Sequence, residues 1–360
     1  MKTIEQNSNV LIKHNEAISL LKKLIAIPSL SKEEDKTADL IEKFLNEKGI
    51  KTSRKGNNVW AKNKYYNEAL PTILLNSHHD TVKPNSGYTN DPFSPIEKDG
   101  KLFGLGSNDA GGPLVSLIAT FLYFYDKPNL KYNFILAATA EEEISGKNGV
   151  ELVLPELGKI DFAIVGEPTQ MNLAIAEKGL MVLDCIAHGK AGHAALEEGE
   201  NAIYKAMKDI EWFNSFKFPK VSETLGEIKM SVTVIHSGTQ HNVVPDKCEF
   251  TVDIRTTDVY TNEEVLEIVK QNISSEVKAR STRFNPSSIN KEHAIVKAGI
   301  KLGRSTYGSP TSSDQALMNF PSLKMGPGDS ARSHSVDEFI YLWEIEEGVE
   351  LYIKMLSQIL

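Results

Sequence analysis

Apolar residues recur at helical spacing at Ala17, Ile18, Leu21, Leu24 and Ile25 and stop at Pro28, which predicts that the chain enters the fold as a helix. Ser31 followed by Glu34 has the spacing of a capping box, so a second helix is expected from there to Gly49. Three short apolar runs follow, at residues 72–76, 133–140 and 162–165, each ending in a polar cluster. Such runs suit strands buried on both faces, and their alternation with helical patterns marks helices packed on a largely parallel sheet. Ligand sites in such sheets form beyond the C-terminal strand ends. From about Gly179 the period changes to two, with alternation through 181–187, 230–236 and 248–255 and helical patterns over 201–213 and 262–278. This predicts a small α+β insert. After about residue 285 helix and strand return, closing with a long helix near 342–359. The reading is an α/β chain in two parts: residues 1–178 with 286–360, interrupted by 179–285.

A chain of 360 residues is long enough for two cores. With 41% hydrophobic and 24% charged residues and no low-complexity tract, it has the composition of a globular protein. The balance of 48 acidic against 40 basic residues leaves a net charge of -8, and no Lys/Arg block could grip a phosphate backbone, so nucleic acid is not expected as a partner. Residues 1–10 are polar and unlike a secretory signal, and the apolar stretch 114–124 is far short of the roughly 20 residues a bilayer span needs. A cytoplasmic location without a membrane partner is expected. Cys185 and Cys248 fall in alternating segments, as buried reduced thiols would.

The chemistry-bearing residues gather in five clusters at predicted strand ends or loops: Ser77-His78-His79-Asp80, Asn108-Asp109-Ala110-Gly111-Gly112, Glu141-Glu142-Glu143, Gly166-Glu167-Pro168 and Ser333-His334-Ser335. Singly each is a weak signal, since a lone His is more often a satisfied surface or core residue than a ligand. Together they offer imidazoles and carboxylates without a thiolate, which suits a pair of divalent cations such as zinc sharing one water.

In order along the chain, His-x-Asp at 78–80, Gly-x-Gly-x-x-Asp ending at Asp109, the acidic run ending Glu142-Glu143, Gly-Glu-Pro-Thr at 166–169 and His334 followed by Asp337-Glu338 resemble the co-catalytic zinc family of acetylornithine deacetylases, diaminopimelate desuccinylases, aminoacylases and related exopeptidases. The resemblance spans Pro28 to about Glu338. It implies a zinc-dependent exopeptidase-like catalytic domain with an inserted α+β lid and dimerisation domain, acting as a homodimer. It also implies two zinc ions per chain, with cobalt as a substitute: His78 and Glu167 on one, Glu143 and His334 on the other, Asp109 bridging. Asp80 would then fix the imidazole tautomer of His78, and Glu142 would be the general base. His79 adjoins His78 and is a second candidate ligand, although the spacing to Asp80 favours His78. The sequence departs from the family pattern at Glu141, where Asp is usual, and at Ala110-Gly111, where a Met-Lys or similar pair is usual.

Within the insert, the resemblance makes His193 an oxyanion donor that reaches the active site of the partner subunit; a loop histidine is the alternative. Asn242 and Arg255 resemble residues that hold a substrate carboxylate, for which a guanidinium fork is suited, with a strand-end salt bridge as the other reading of Arg255. Residues 308–314 resemble the loop lining the acyl pocket. Residues 177–185 and 190–193 look most like acetylornithine deacetylase-type enzymes, including relatives acting on N-acylated ornithine or citrulline in arginine biosynthesis. The expected activity is removal of an acetyl or succinyl group from such an amino acid. The alternatives are succinyl-diaminopimelate desuccinylase, a di- or tripeptidase, and, from another class, a metal-free protein that binds a small carboxylate, which would not need Glu142. His14, His188, His236 and His293 are expected to be structural or solvated, and Trp60, Trp212 and Trp343 to be core anchors.

Overall fold

Helix Lys2–Ile25 turns the apolar stripe read above inward, burying Ala17, Leu20, Leu21, Leu24 and Ile25. A computed structural model describes residues 2–360, with side chains from His14 on; the side chains of residues 1–10, on which the secretory-signal reading turns, lie outside the described residues. The chain divides into two units, each with its own core. The first runs to Ile175 and includes Ile289–Tyr307 and Ser313–Leu360; the second is Ala176–Ser288 with Gly308–Ser312. Residues 308–312, expected with the outer segments, thus group with the insert.

The first unit is built on a sheet whose strands lie in the order Thr52–Lys55, Asn58–Lys62, Asn133–Thr139, Thr72–His78, Phe162–Val165, Ser322–Lys324 and Leu173–Glu177. Thr72–His78 is parallel to both neighbours, and every residue in it and in Asn133–Thr139 is buried, as cover on both faces requires. Helix Gly112–Phe124, almost wholly buried, packs between Lys2–Ile25 and Leu342–Leu356. Each Leu or Ile removed from water there contributes roughly 2 kcal/mol. Register fixes the site: His78 pairs with Thr139 and Asn76 with Val165, so Glu167, two residues past Val165, comes level with His78.

The second helix, Asp35–Glu47, lacks the predicted capping box. Ser31 Oγ donates instead to Asp80 Oδ2 at 2.7 Å, and fully buried Glu34 accepts from Lys32 N at 2.6 Å, Glu141 N at 3.2 Å and Asn57 Nδ2 at 3.0 Å. Three donors around one buried carboxylate satisfy more polar groups than a local cap could.

The second unit has an antiparallel sheet in the order Lys229–Ser237, Lys247–Thr256, Gly179–His188, Glu276–Ala279. Its alternation buries Met181, Leu183, Cys185, Cys248, Phe250 and Val252 against helices Ala202–Ser215 and Asn262–Asn272, and both cysteines are free and buried. The helical pattern read to residue 278 breaks at Asn272. Buried Asp209 accepts from Ser274 N at 3.1 Å and Ser275 N at 2.8 Å, which unwinds the chain and lets Glu276–Ala279 pair as an edge strand. Trp343 is also not a core anchor: it is 55% exposed and stacks on Tyr341. Among the described residues no helix is long and apolar enough to cross a membrane.

Candidate metal centre

The strand Thr72–His78 delivers His78 to its C-terminal end, where Nδ1 lies 3.0 Å from the carbonyl oxygen of Asp80 and 3.4 Å from Asp80 Oδ1. A carbonyl only accepts, so Nδ1 donates and Nε2 faces the cluster. Nε2 is buried without a hydrogen-bond partner, with Asp109 Oδ1 at 3.4 Å, Glu167 Oε1 at 3.8 Å and Glu142 Oε2 at 3.9 Å. An orphaned buried nitrogen is costly unless a cation or proton completes it.

Asp109 turns its two oxygens to different imidazoles: Oδ1 to His78, and Oδ2 to His334 Nε2 at 3.6 Å. Its backbone is gripped by buried Glu338, whose Oε1 accepts from Asn108 N at 2.8 Å and Asp109 N at 2.9 Å, while Oε2 accepts from Gly106 N at 3.1 Å. A Cβ at position 111 would lie 2.4 Å from Gly106 O, which accounts for the small residue in this turn.

In the acidic run Glu141 turns away, accepting from Asn148 Nδ2 at 2.9 Å. Glu142 N and Glu143 N donate to Asp80 Oδ1 and Oδ2 at 3.0 and 3.2 Å. The Asp80 carboxylate therefore orients the acidic turn, while its carbonyl makes the shorter contact to His78. Glu143 Oε2 reaches His334 Nε2 at 3.0 Å. Two groups could each hold a metal ion: His78, Asp109 and Glu167; and Asp109, Glu143 and His334. Glu142 belongs to neither.

The electrostatics call for added positive charge. Burial first, and then neighbouring carboxylates, push Glu142 well above the usual carboxylate range and Glu167 up to about 8. Burial opposes charge on His78, but Asp109 and Asp80 outweigh it and raise its pKa. The bond to Glu143 raises His334 to about 9. More carboxylates than the imidazoles can neutralise, all converging, is a donor set that fits two divalent cations.

His79 is turned away. Its Nε2 donates to Asn57 O at 2.8 Å and its Nδ1 lies 2.9 Å from Thr37 Oγ1. Sequence reasoning missed Ser31, Glu34, Asn108 and Glu338 as supports. Asp314, read as part of the loop lining the acyl pocket, accepts from Thr139 Oγ1 at 2.6 Å behind the centre, and burial pushes it up to about 6. Asn108 beside Asp109 and Glu338 in the Asp-Glu pair after His334 stood in motifs, while the spacing of Ser31 and Glu34 pointed to a local cap instead.

In the second unit His193 is exposed in a two-residue pairing with Val243, and its Nδ1 accepts from Ala195 N at 3.1 Å. Asn242 is exposed. Arg255 forms a two-point pair with Asp253, at 2.8 and 3.1 Å, the strand salt bridge left open above. His188 pairs with Glu276, and His293 caps helix Ala294–Lys301.

The model of peptidase family M20/M25/M40 matches residues 74–358. The chain is 27% identical to a succinyl-diaminopimelate desuccinylase of Rickettsia bellii over 94% of its own length and 96% of that protein's. It is 29% identical to an acetylornithine deacetylase of Proteus mirabilis over 78% and 77%. A solved Bacillus subtilis structure, described as a dinuclear metal binding peptidase, superposes with a TM-score of 0.73 at 20% identity, covering 97% of this chain and 98% of that one.

Proposed function

The chain belongs to peptidase family M20/M25/M40 and is a metal-dependent amidohydrolase; from that premise we propose that it uses two zinc ions to hydrolyse the amide bond of an N-acyl amino acid. The observation that carries this reading is the division of Asp109 between two imidazoles, with His78 Nε2 buried and unpartnered on one side. His78, Asp109 and Glu167 would hold one ion and Asp109, Glu143 and His334 the other. When bound, such a pair supplies Lewis acidity toward an amide carbonyl and toward water.

The chain's own residues do the rest. Glu142 stands among the ligands without belonging to either group, and burial raises its proton affinity. It takes the proton of the attacking water and passes it to the leaving amine. Asp80 keeps it in place by holding the amides of both Glu142 and Glu143. His193 donates to the oxyanion in the partner subunit's site, within a homodimer. That assembly is supported by the edge strand Lys229–Ser237, which exposes Val234 and Ile235 beside unpaired backbone groups. For the substrate carboxylate Asn242 is the more accessible choice, since Arg255 would first have to leave Asp253.

As substrate we favour N-acetyl or N-succinyl ornithine or citrulline, which would put the enzyme in arginine biosynthesis; the support is the character of residues 177–185 and the Proteus mirabilis relative. Succinyl-diaminopimelate is the second reading, supported by the Rickettsia bellii relative matched along 96% of its length. Rates of zinc- or cobalt-loaded enzyme on acetyl- and succinyl-ornithine, acetyl-citrulline, succinyl-diaminopimelate and dipeptides would rank these readings. Glu142→Gln should keep two metal equivalents and lose turnover by roughly 10²- to 10⁴-fold. Near-normal turnover of that variant, or full wild-type activity after chelation, would end the proposal.

A further inference from the structure

The ligands differ in how they are held. His78 ends a central strand and Glu167 stands two residues past another, while the backbones at Asp109 and Glu143 are gripped by Glu338 and Asp80. His334 has less support: its side chain is 55% exposed, its φ is +57°, and among the described residues its carbonyl accepts a long bond, 3.3 Å, from Asn85 Nδ2. Arg332 ties this loop outward, to Glu344 on the last helix. Toward the metal centre the loop is tied by Ser333, which hydrogen-bonds the Asp109 carboxylate, and by Asn108, the residue before Asp109. Fully buried, it accepts at Oδ1 from Asp329 N at 3.0 Å and donates from Nδ2 to Asp329 O at 3.0 Å and Ser333 Oγ at 3.4 Å.

We propose that Asn108 is a positioning residue that sets the Asp109–Glu143–His334 half of the centre by fastening the His334 loop to the turn of Asp109. The inference rests on the two-metal reading above. An amide is the side chain that fits: it pairs with both the N–H and the C=O of Asp329, as a strand neighbour would. Aspartate would set an oxygen against Asp329 O, and alanine would take the acceptor from Asp329 N, leaving Asp329 O with Arg332 N at 2.9 Å. Gly328 makes room for it, since with φ +92° a Cβ there would stand 2.5 Å from Asn108 Oδ1. In the His78–Asp109–Glu167 half, His78 and Glu167 are placed by strand register, and the segment past Glu167 reaches Asp329 through Gln170 Nε2 at 2.6 Å, independently of Asn108. The effect of losing Asn108 is therefore one-sided.

The test is a zinc titration of chelated wild-type and Asn108→Ala protein by calorimetry, with hydrogen exchange on the chelated proteins. Wild type should take up two equivalents. Asn108→Ala should keep the first within about threefold and lose roughly 10- to 100-fold on the second. Amides of 329–336 should exchange faster, and those of 76–80 and 163–167 as in wild type. Should Asn108→Ala not fold, Gly328→Ala, which crowds the amide from the other side, should give the same split. Glu338→Gln is the contrast: it releases the Asp109 turn itself and should weaken both equivalents. Equal weakening of both by Asn108→Ala, or a second equivalent held as in wild type, would overturn the proposal alone. A wild-type protein taking fewer than two equivalents would overturn the two-metal reading with it.

Discussion

Replacing His79 by glutamine should remove a defined part of the protein's sensitivity to acid. The ring is buried between Asn57 O and Thr37 Oγ1, and burial, only partly offset by the bond to Asn57, lowers its pKa from 6.5 to about 4. Above pH 6.5 it is neutral folded and unfolded and contributes nothing to pH dependence. Between 6.5 and about 4 the unfolded chain binds a proton that the folded protein refuses, so stability falls as pH falls, and below about 4 the loss levels off. At about 1.36 kcal/mol per pH unit the gap amounts to roughly 3 kcal/mol. The assay is urea unfolding of chelated wild type and His79→Gln from pH 8 to pH 4. Glutamine can serve both neighbours and does not titrate, so carboxylates common to the two proteins cancel in the difference. That difference should be small and constant near pH 8 and move by roughly 3 kcal/mol in the variant's favour by pH 4. A constant difference, or movement in the other direction, would refute the account of a buried neutral ring. Loss of a metal equivalent in His79→Gln would reopen its candidacy as a ligand.

Two further outcomes are expected. Mixing inactive His193→Ala and Glu142→Gln homodimers under conditions of subunit exchange should restore roughly a quarter of wild-type activity, since half the dimers are mixed and each mixed dimer has one complete site; no recovery despite proven exchange would remove the assignment of His193 to the partner's site. Glu34→Ala should cost roughly 3 kcal/mol in urea unfolding because three donors, buried Glu141 N among them, lose a fully buried acceptor, and a loss below about 1 kcal/mol would show that water replaces the carboxylate.

What the sequence disclosed and what it hid divide along a physical line. Apolar runs at 72–76, 133–140 and 162–165 became the central parallel strands because burial on both faces leaves an unbroken signature. His78, Asp109, Glu143, Glu167 and His334 were nameable because each stands in a short motif, and the fold gathers them into two adjoining groups. The supports were hidden because their partners are remote. Ser31 and Glu34 have the local spacing of a cap, yet their bonds go to Asp80 and Glu141, and Asn108 meets Asp329 more than two hundred residues away. The end of the helix at Asn272 was lost for the same reason, since the competing acceptor, Asp209, belongs to another helix. Arg255 suited two tasks equally, and only the arrangement of its strand shows Asp253 beside it.

The alignment of His78, Thr139 and Glu167 at one level of three parallel strands makes the centre a gauge of correct assembly. A slip of one residue along Thr72–His78 or Phe162–Val165 would move its ligand by about 3.3 Å and turn it to the opposite face, so the cluster has no graded intermediate between formed and lost. Injury to a distant turn that sets the register, such as the connection between Lys62 and Thr72, should therefore lower the number of competent molecules in a preparation. Those that remain should work at the full rate.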